Sequence, residues 1–247
     1  MAVITLTTDF GWRDGYVGAM KGVIARGAPG ATIVDLAHDV PRGDIAHAAW
    51  VVWTATRPFP DGTIHVVVVD PGVGGARRGV IVRANADFYV GPDNGVFAYI
   101  AANRYGAWQI VAPASASKTF HGRDVFAPAA AALARGERPT PPEIKLAGTL
   151  PWGPRPAGQG RIVHVDHFGN LISDLPPSEA GEAVTVAGNT LPLVDTFESV
   201  APGQLLAYVG SAGTIEIAVR DGSAEKQLHA RRGLPVLPAA SPAGPFR

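Results

Sequence analysis

Residues 64–78 read IHVVVVDPGVGGARR, in which a run of four valines ends abruptly in an acid, a Pro-Gly turn and two arginines. A run that is apolar on both alternating faces fits a strand covered on both sides, as in a parallel sheet. In open α/β sheets ligands sit outside the carboxyl ends of such strands, so Asp70 stands where chemistry is expected. A carboxylate there can accept a proton as a general base, with arginine beside it to orient a water. Gly72, Gly74 and Gly75 let the backbone turn tightly and approach a ligand closely. Asp, Pro and Gly are also ordinary turn residues, and a plain turn is the competing reading of this segment alone.

Three more clusters have the same form, polar groups in a glycine-containing loop after an extended run. They are TTDFG with Asp9, TFHGRD with His121, Arg123 and Asp124, and VDHFGN with Asp166, Phe168 and Asn170. GVGGARR lacks the Gly-Lys-Ser/Thr of a phosphate-binding Walker loop, and no GxGxxG opens the first helix. GxSxG and HExxH are absent too, which leaves serine-hydrolase and zinc-peptidase chemistry poorly supported.

Strand and helix signals alternate through the first half of the chain. Residues 3–7 read as a strand with Asp9 at its tip, followed by a helix closing at Gly27. Residues 32–36 form a second strand, and residues 45–56 a helix for which Asp44 is a suitable N-cap. Strands follow at 64–69, 80–84 and 88–90, then a helix over VFAYIAANRYG and another over VFAPAAAALARG, closed by Gly136. Such alternation predicts an α/β domain with a mainly parallel central sheet between helices. Between Arg138 and Gly160 fall six prolines and four glycines, a composition that continues neither helix nor central strand. Beyond it, RIVHVD, LISDL, AVTVAG, LPLVD, QLLAYVG and TIEIAVRDG are short β runs separated by Gly, Pro and Asp, predicting a small antiparallel β-barrel. The expected organisation is an α/β domain over 1–150, a Pro/Gly-rich linker over 151–160 and a β-barrel domain over 161–247. The closing SPAGPFR reads as a frayed tail.

The composition narrows the function. With 247 residues the chain has ample core and needs no disulfide or metal staple. Formal net charge is zero, so no basic field attracts nucleic acid or an anionic membrane, and no apolar stretch approaches the ~20 residues of a membrane helix. A small-molecule ligand is the better default. The absence of cysteine excludes disulfides, thiolate nucleophiles and cysteine-ligated metal sites. MAVITLTTDFG lacks the charged n-region of a signal peptide, and the expected location is the cytoplasm.

In this order the segments TTDFGWRDGYVGAMKGVI, VVDPGVGGARR, VGPDNGVF, TFHGRDVFAPAAA, VDHFGNLISDL and GSAGTIEIAVRDGSA resemble the S-adenosyl-L-methionine (SAM) hydrolases, also called SAM hydroxide adenosyltransferases, which are relatives of the adenosyl fluorinase and chlorinase. The resemblance spans nearly the whole chain. It implies an N-terminal α/β domain, a C-terminal β-barrel, and a homotrimer with active sites at subunit interfaces. It also implies hydrolysis of SAM to adenosine and L-methionine by attack of water on the ribose C5′ carbon. By motif, Asp70, Arg77 and His121 match the catalytic groups; Arg78 is adjacent, and the choice of Arg77 comes from the resemblance. Asp9 matches the acid that accepts from the ribose diol. Asp166 matches the carboxylate that holds the methionine ammonium, Phe168 offers an aromatic face, and Asn170 pairs with an adenine edge. Ser211 and the backbone around Ala218 resemble positions lining the methionine and adenine ends. SAM is then the substrate, with no further cofactor and no metal. A halide-dependent synthase is the nearest alternative, disfavoured because a carboxylate at Asp70 repels an anion; a non-catalytic SAM or adenosine sensor is the other.

Other conspicuous residues carry structural readings. His38, His47 and His65 read as surface or satisfied core groups, the tryptophans as packing, Arg123 and Asp124 as a local pair or helix cap, and Asp93 with Asn94 as a tight turn.

Overall fold

A computed structural model describes residues 1–102 and 105–240, so the 241–247 tail lies outside the described residues. Contacts divide the chain into two units, Met1–Pro151 and Trp152–Arg247.

The first unit contains a six-stranded sheet of β1 (Val3–Thr8), β2 (Thr32–Ala37), β3 (Ile64–Val68), β4 (Gly79–Ala84), β5 (Asp87–Pro92) and β6 (Tyr105–Ile110), in the order β2-β1-β3-β5-β4-β6. Strands β2, β1, β3 and β5 run parallel, whereas β4 pairs antiparallel with both β5 and β6. Every residue of β3 is buried, as its apolar run requires. Val66 and Val68 face Met20 and Ile24 of helix α1 (Tyr16–Gly27) and Ala130 of α3 (Ala127–Ala134). Val67 and Val69 pack with Ala48 and Val52 of α2 (Ile45–Ala55) on the other face. Each fully buried valine contributes roughly 1.5–3 kcal/mol, so β3 anchors both layers. Asp44 caps α2 by accepting from the His47 backbone N–H at 3.0 Å, and Gly136, at φ +87°, closes the last turn of α3 with a bond to the Leu133 carbonyl.

Among its described residues, the segment VFAYIAANRYG does not form the expected α-helix. It has a 3₁₀ turn at Ile100–Ala102, and its last two residues, Tyr105 and Gly106, belong to β6, whose six residues pair in full register with β4. The apolar spacing of VFAYIAA suits a helix, but Val96 and Phe97 join the sheet core through a turn, and cross-strand pairing claims Tyr105–Ile110.

The second unit is a seven-stranded antiparallel sheet of β7 (Gly160–Val165), β8 (Leu171–Ser173), β9 (Ala183–Val186), β10 (Asn189–Pro192), β11 (Leu205–Val209), β12 (Ile215–Val219) and β13 (Pro235–Ala239). Its order is β10-β9-β13-β7-β8-β12-β11. A bridge between Leu193 and Ala207, with Val194 N–H donating to the Ala207 carbonyl at 2.9 Å, nearly closes the barrel. Short helices α4 (Pro177–Ala180) and α5 (Ala224–Leu228) pack on its core, which includes Ile162, Leu171, Ile215 and Ile217. Strand β13 has two prolines, a composition that signals against a strand inside a sheet. It nonetheless lies between β9 and β7.

Candidate active site

Thr8, the last residue of β1, is in register with Val68, the last of β3. Asp9 and Asp70 therefore emerge just beyond the carboxyl ends of adjacent parallel strands. After Asp70 the chain folds into two tight turns, with Val73 N–H donating to the Asp70 carbonyl and Gly75 N–H to that of Gly72. These turns bring Arg77 back over Asp70. Its Nε donates to Asp70 Oδ1 at 2.9 Å and its Nη2 to Oδ2, a two-pronged pair in which the carboxylate is 4% and the guanidinium 10% exposed.

Arg77 Nη2 also donates to Nδ1 of His121 at 2.7 Å. A guanidinium has only donors, so His121 Nδ1 is the acceptor and the ring proton sits on Nε2, where it can be donated. Burial, and then the charge of Arg77, hold the His121 pKa below the ordinary imidazole value against the opposing pull of Asp70 and Asp124. The neutral ring is the form this geometry needs.

His121 enters from the opposite loop at the head of a π-helical turn, Gly122–Phe126. Gly74 makes that approach possible. Its φ is +74°, and a Cβ there would lie 2.3 Å from the Lys118 carbonyl oxygen. Asp124 fastens the same loop by accepting from Ser117 N–H at 2.9 Å while pairing with Arg123. Arg78 points elsewhere, with Nε 3.1 Å from Asp93 Oδ2 and Nη2 2.8 Å from the Lys145 carbonyl. Asp93 further accepts from the N–H groups of Ala147 and Gly148. Arg77, not Arg78, thus completes the trio with Asp70 and His121.

Asp9 is half-buried and accepts from Gly43 N–H at 2.8 Å through Oδ2. Gly43 in turn lies against Pro71, where a Cβ on it would be 3.6 Å from the proline ring, so the Asp9 and Asp70 loops share one edge.

In the second unit VDHFGN forms a single turn organised by its own acid. Asp166 Oδ1 accepts from the N–H groups of Phe168 and Asn170 at 2.9 and 2.8 Å, and Oδ2 accepts from Asn170 Nδ2 at 2.9 Å. Three of about four acceptor positions are filled, leaving one for a ligand. Phe168 is 73% exposed. Ser211 is exposed in the turn between β11 and β12, and Ala218 is fully buried within β12.

Glu216 and Tyr208 were not anticipated from sequence. Tyr208 donates to Glu216 Oε2 at 2.7 Å, and burial, with Asp166 adding, pushes the Glu216 pKa up. An acid inside the apolar run IEIAV was the available signal.

Two models describing the SAM hydroxide adenosyltransferase N-terminal and C-terminal domains match residues 4–142 and 160–237. The chain belongs to the SAM hydroxide adenosyltransferase family. Among family relatives, the (R)-S-adenosyl-L-methionine hydrolase of Thermus thermophilus is 40% identical over 96% of this chain and 99% of its own length. That of Salinispora arenicola is 40% identical over 91% and 93%. A crystal structure of a conserved hypothetical protein from Thermus thermophilus superposes with a TM-score of 0.83 at 40% identity, covering 96% of this chain and 99% of that one. The SAM hydroxide adenosyltransferase match thus takes in all four motif loops.

Proposed function

We infer that this chain hydrolyses SAM to adenosine and L-methionine. The observation that carries the reading is the chain of contacts Asp70–Arg77–His121, a base, a fixed cation and a neutral imidazole assembled at one strand end. A sulfonium departs as a neutral thioether, so no general acid is required. What the reaction lacks is a competent nucleophile. A water between these groups would give a proton to Asp70 while its oxygen attacks C5′; the C5′–S bond breaks with its electron pair left on sulfur. Arg77 and the His121 Nε2–H would orient that water and stabilise its hydroxide character.

Asp9 is proposed to accept from the ribose diol, and Asp166 to hold the methionine ammonium at its remaining acceptor position. Phe168 supplies an aromatic face, Asn170 an amide for adenine, and Ser211 and the backbone around Ala218 line the substrate. SAM hydrolysis proceeds on this reading with no cofactor, on the (R)-sulfonium, in a cytoplasmic homotrimer with active sites at subunit interfaces. The test is product analysis after incubation with SAM, with and without chloride, together with the mass of the assembly in solution. Adenosine and methionine independent of chloride are expected. A 5′-haloadenosine, or bound but intact SAM, would contradict the reading.

A further inference from the structure

His38 is a heavily used side chain beside the Asp9 loop that the reaction itself does not employ. Its side chain is fully buried at the end of β2. Nε2 lies 2.9 Å from Asp35 Oδ1, and Nδ1 lies 2.8 Å from Thr8 Oγ1. Thr8 Oγ1 also accepts from the Phe10 N–H at 3.3 Å, while the His38 carbonyl accepts from Gly11 N–H at 2.8 Å. The Trp12 ring packs edge-on against the imidazole at 4.6 Å. Residues 8, 10, 11 and 12 are therefore all held by His38, directly or through Thr8, and Asp9 is the residue they enclose.

With the His38 ring neutral, each bond has one consistent direction. The Asp35 carboxylate, also held by Lys21 at 2.6 Å, can only accept, so the ring proton is on Nε2. Nδ1 then accepts the Thr8 hydroxyl proton, leaving the Thr8 oxygen free to accept from Phe10. Burial opposes ionisation of Asp35, but its bonds to Lys21 and His38 prevail and lower its pKa. The carboxylate form persists.

We propose that His38 is a positioning residue for substrate recognition, which, oriented by Asp35, fixes the 8–12 loop through Thr8 and its own carbonyl so that Asp9 meets the ribose diol. The proposal rests on the reading of Asp9 as the diol acceptor. Its test is the binding of adenosine against 2′,3′-dideoxyadenosine by calorimetry in the wild type, Thr8→Val, Thr8→Ser and Asp9→Asn proteins. Thr8→Val keeps the side-chain shape and removes the hydroxyl. It should lose about tenfold of the preference for adenosine, the scale of one buried hydrogen bond, with dideoxyadenosine affinity unchanged. Thr8→Ser should restore the preference, and in turnover Thr8→Val should raise KM far more than it lowers kcat. A general loss of folding would weaken both ligands alike. If Thr8→Val does not fold, Asp35→Ala, at a position with 29% of its side chain exposed, should reduce the same preference severalfold. Full preference in the valine variant, beside its collapse in Asp9→Asn, would overturn the positioning role. Full preference in Asp9→Asn would instead overturn the diol reading on which it rests.

Discussion

The two units use an aspartate in opposite ways. In the first, glycines and backbone turns build the 70–78 loop, and the Asp70 carboxylate is spent on another side chain, Arg77. In the second, the Asp166 carboxylate builds its own turn by accepting from two backbone N–H groups and the amide of Asn170. A carboxylate relieved of backbone duty can change protonation without unmaking its loop. One that makes the loop is better suited to holding a fixed charge.

This contrast is most strongly tested at Asp70. Asp70→Asn should lower kcat by roughly 10²–10⁴-fold while SAM binding by calorimetry stays measurable. Loss of the fold with the activity would erase the distinction from Asp166. At Gly74, alanine meets both an unfavourable φ and the Lys118 carbonyl. Separation of Arg77 from His121 should reduce turnover by up to ~10²-fold, the effect of displacing a catalytic group by ~1 Å, with a stability loss of about 1–3 kcal/mol in denaturant melts.

The units should also differ in sign with pH. His65 is buried in β3 with Nδ1 2.8 Å from Thr5 Oγ1, and burial lowers its pKa from 6.5 to about 4. Its neutral form is the stable one, so stability is full above pH 6.5 and falls by about 3 kcal/mol as pH drops towards 4. Glu216 in the second unit has a raised pKa, so its contribution is present below the ordinary carboxylate value of 4.5 and is lost as pH rises through its own. Urea melts across pH should show the acid slope become shallower in His65→Asn, with the lowered pKa of His121 leaving a residual slope, and Glu216→Gln should remove the opposing trend. The smallest effect on kcat is expected at Asp166. Asp166→Ala should lose about 1 kcal/mol for each unmade hydrogen bond and raise KM, while Asp166→Asn, keeping one acceptor oxygen, should lose less.

Much of this arrangement is legible in the residues. The run Val66–Val69, which closes β3 and continues one residue past it, dictates burial on both faces and so delivers Asp70 to the sheet edge; Asp44 announces α2, and Gly136 its counterpart at the end of α3. The rest depends on contacts distant in sequence. Arg77 and Arg78 are chemically equivalent neighbours until Asp93 claims one of them. His38 reads as a core histidine until its ring is seen to bridge Asp35 of β2 and Thr8 at the end of β1, beside the Asp9 loop. VFAYIAA satisfies helical spacing, and only pairing with β4 makes a strand of Tyr105–Ile110. The prolines of β13 hide a strand whose neighbours lie far back in the chain, β7 and β9.

The decisive measurement is hydrolysis of SAM in ¹⁸O-water by the wild type and by Asp70→Asn, with adenosine and methionine analysed by mass. Label in the 5′-hydroxyl of adenosine, formed rapidly by the wild type and severely slowed in a variant that still binds SAM, is the expected result. Unlabelled adenosine, or undiminished turnover in Asp70→Asn, would contradict the assignment of Asp70 as the base that activates water.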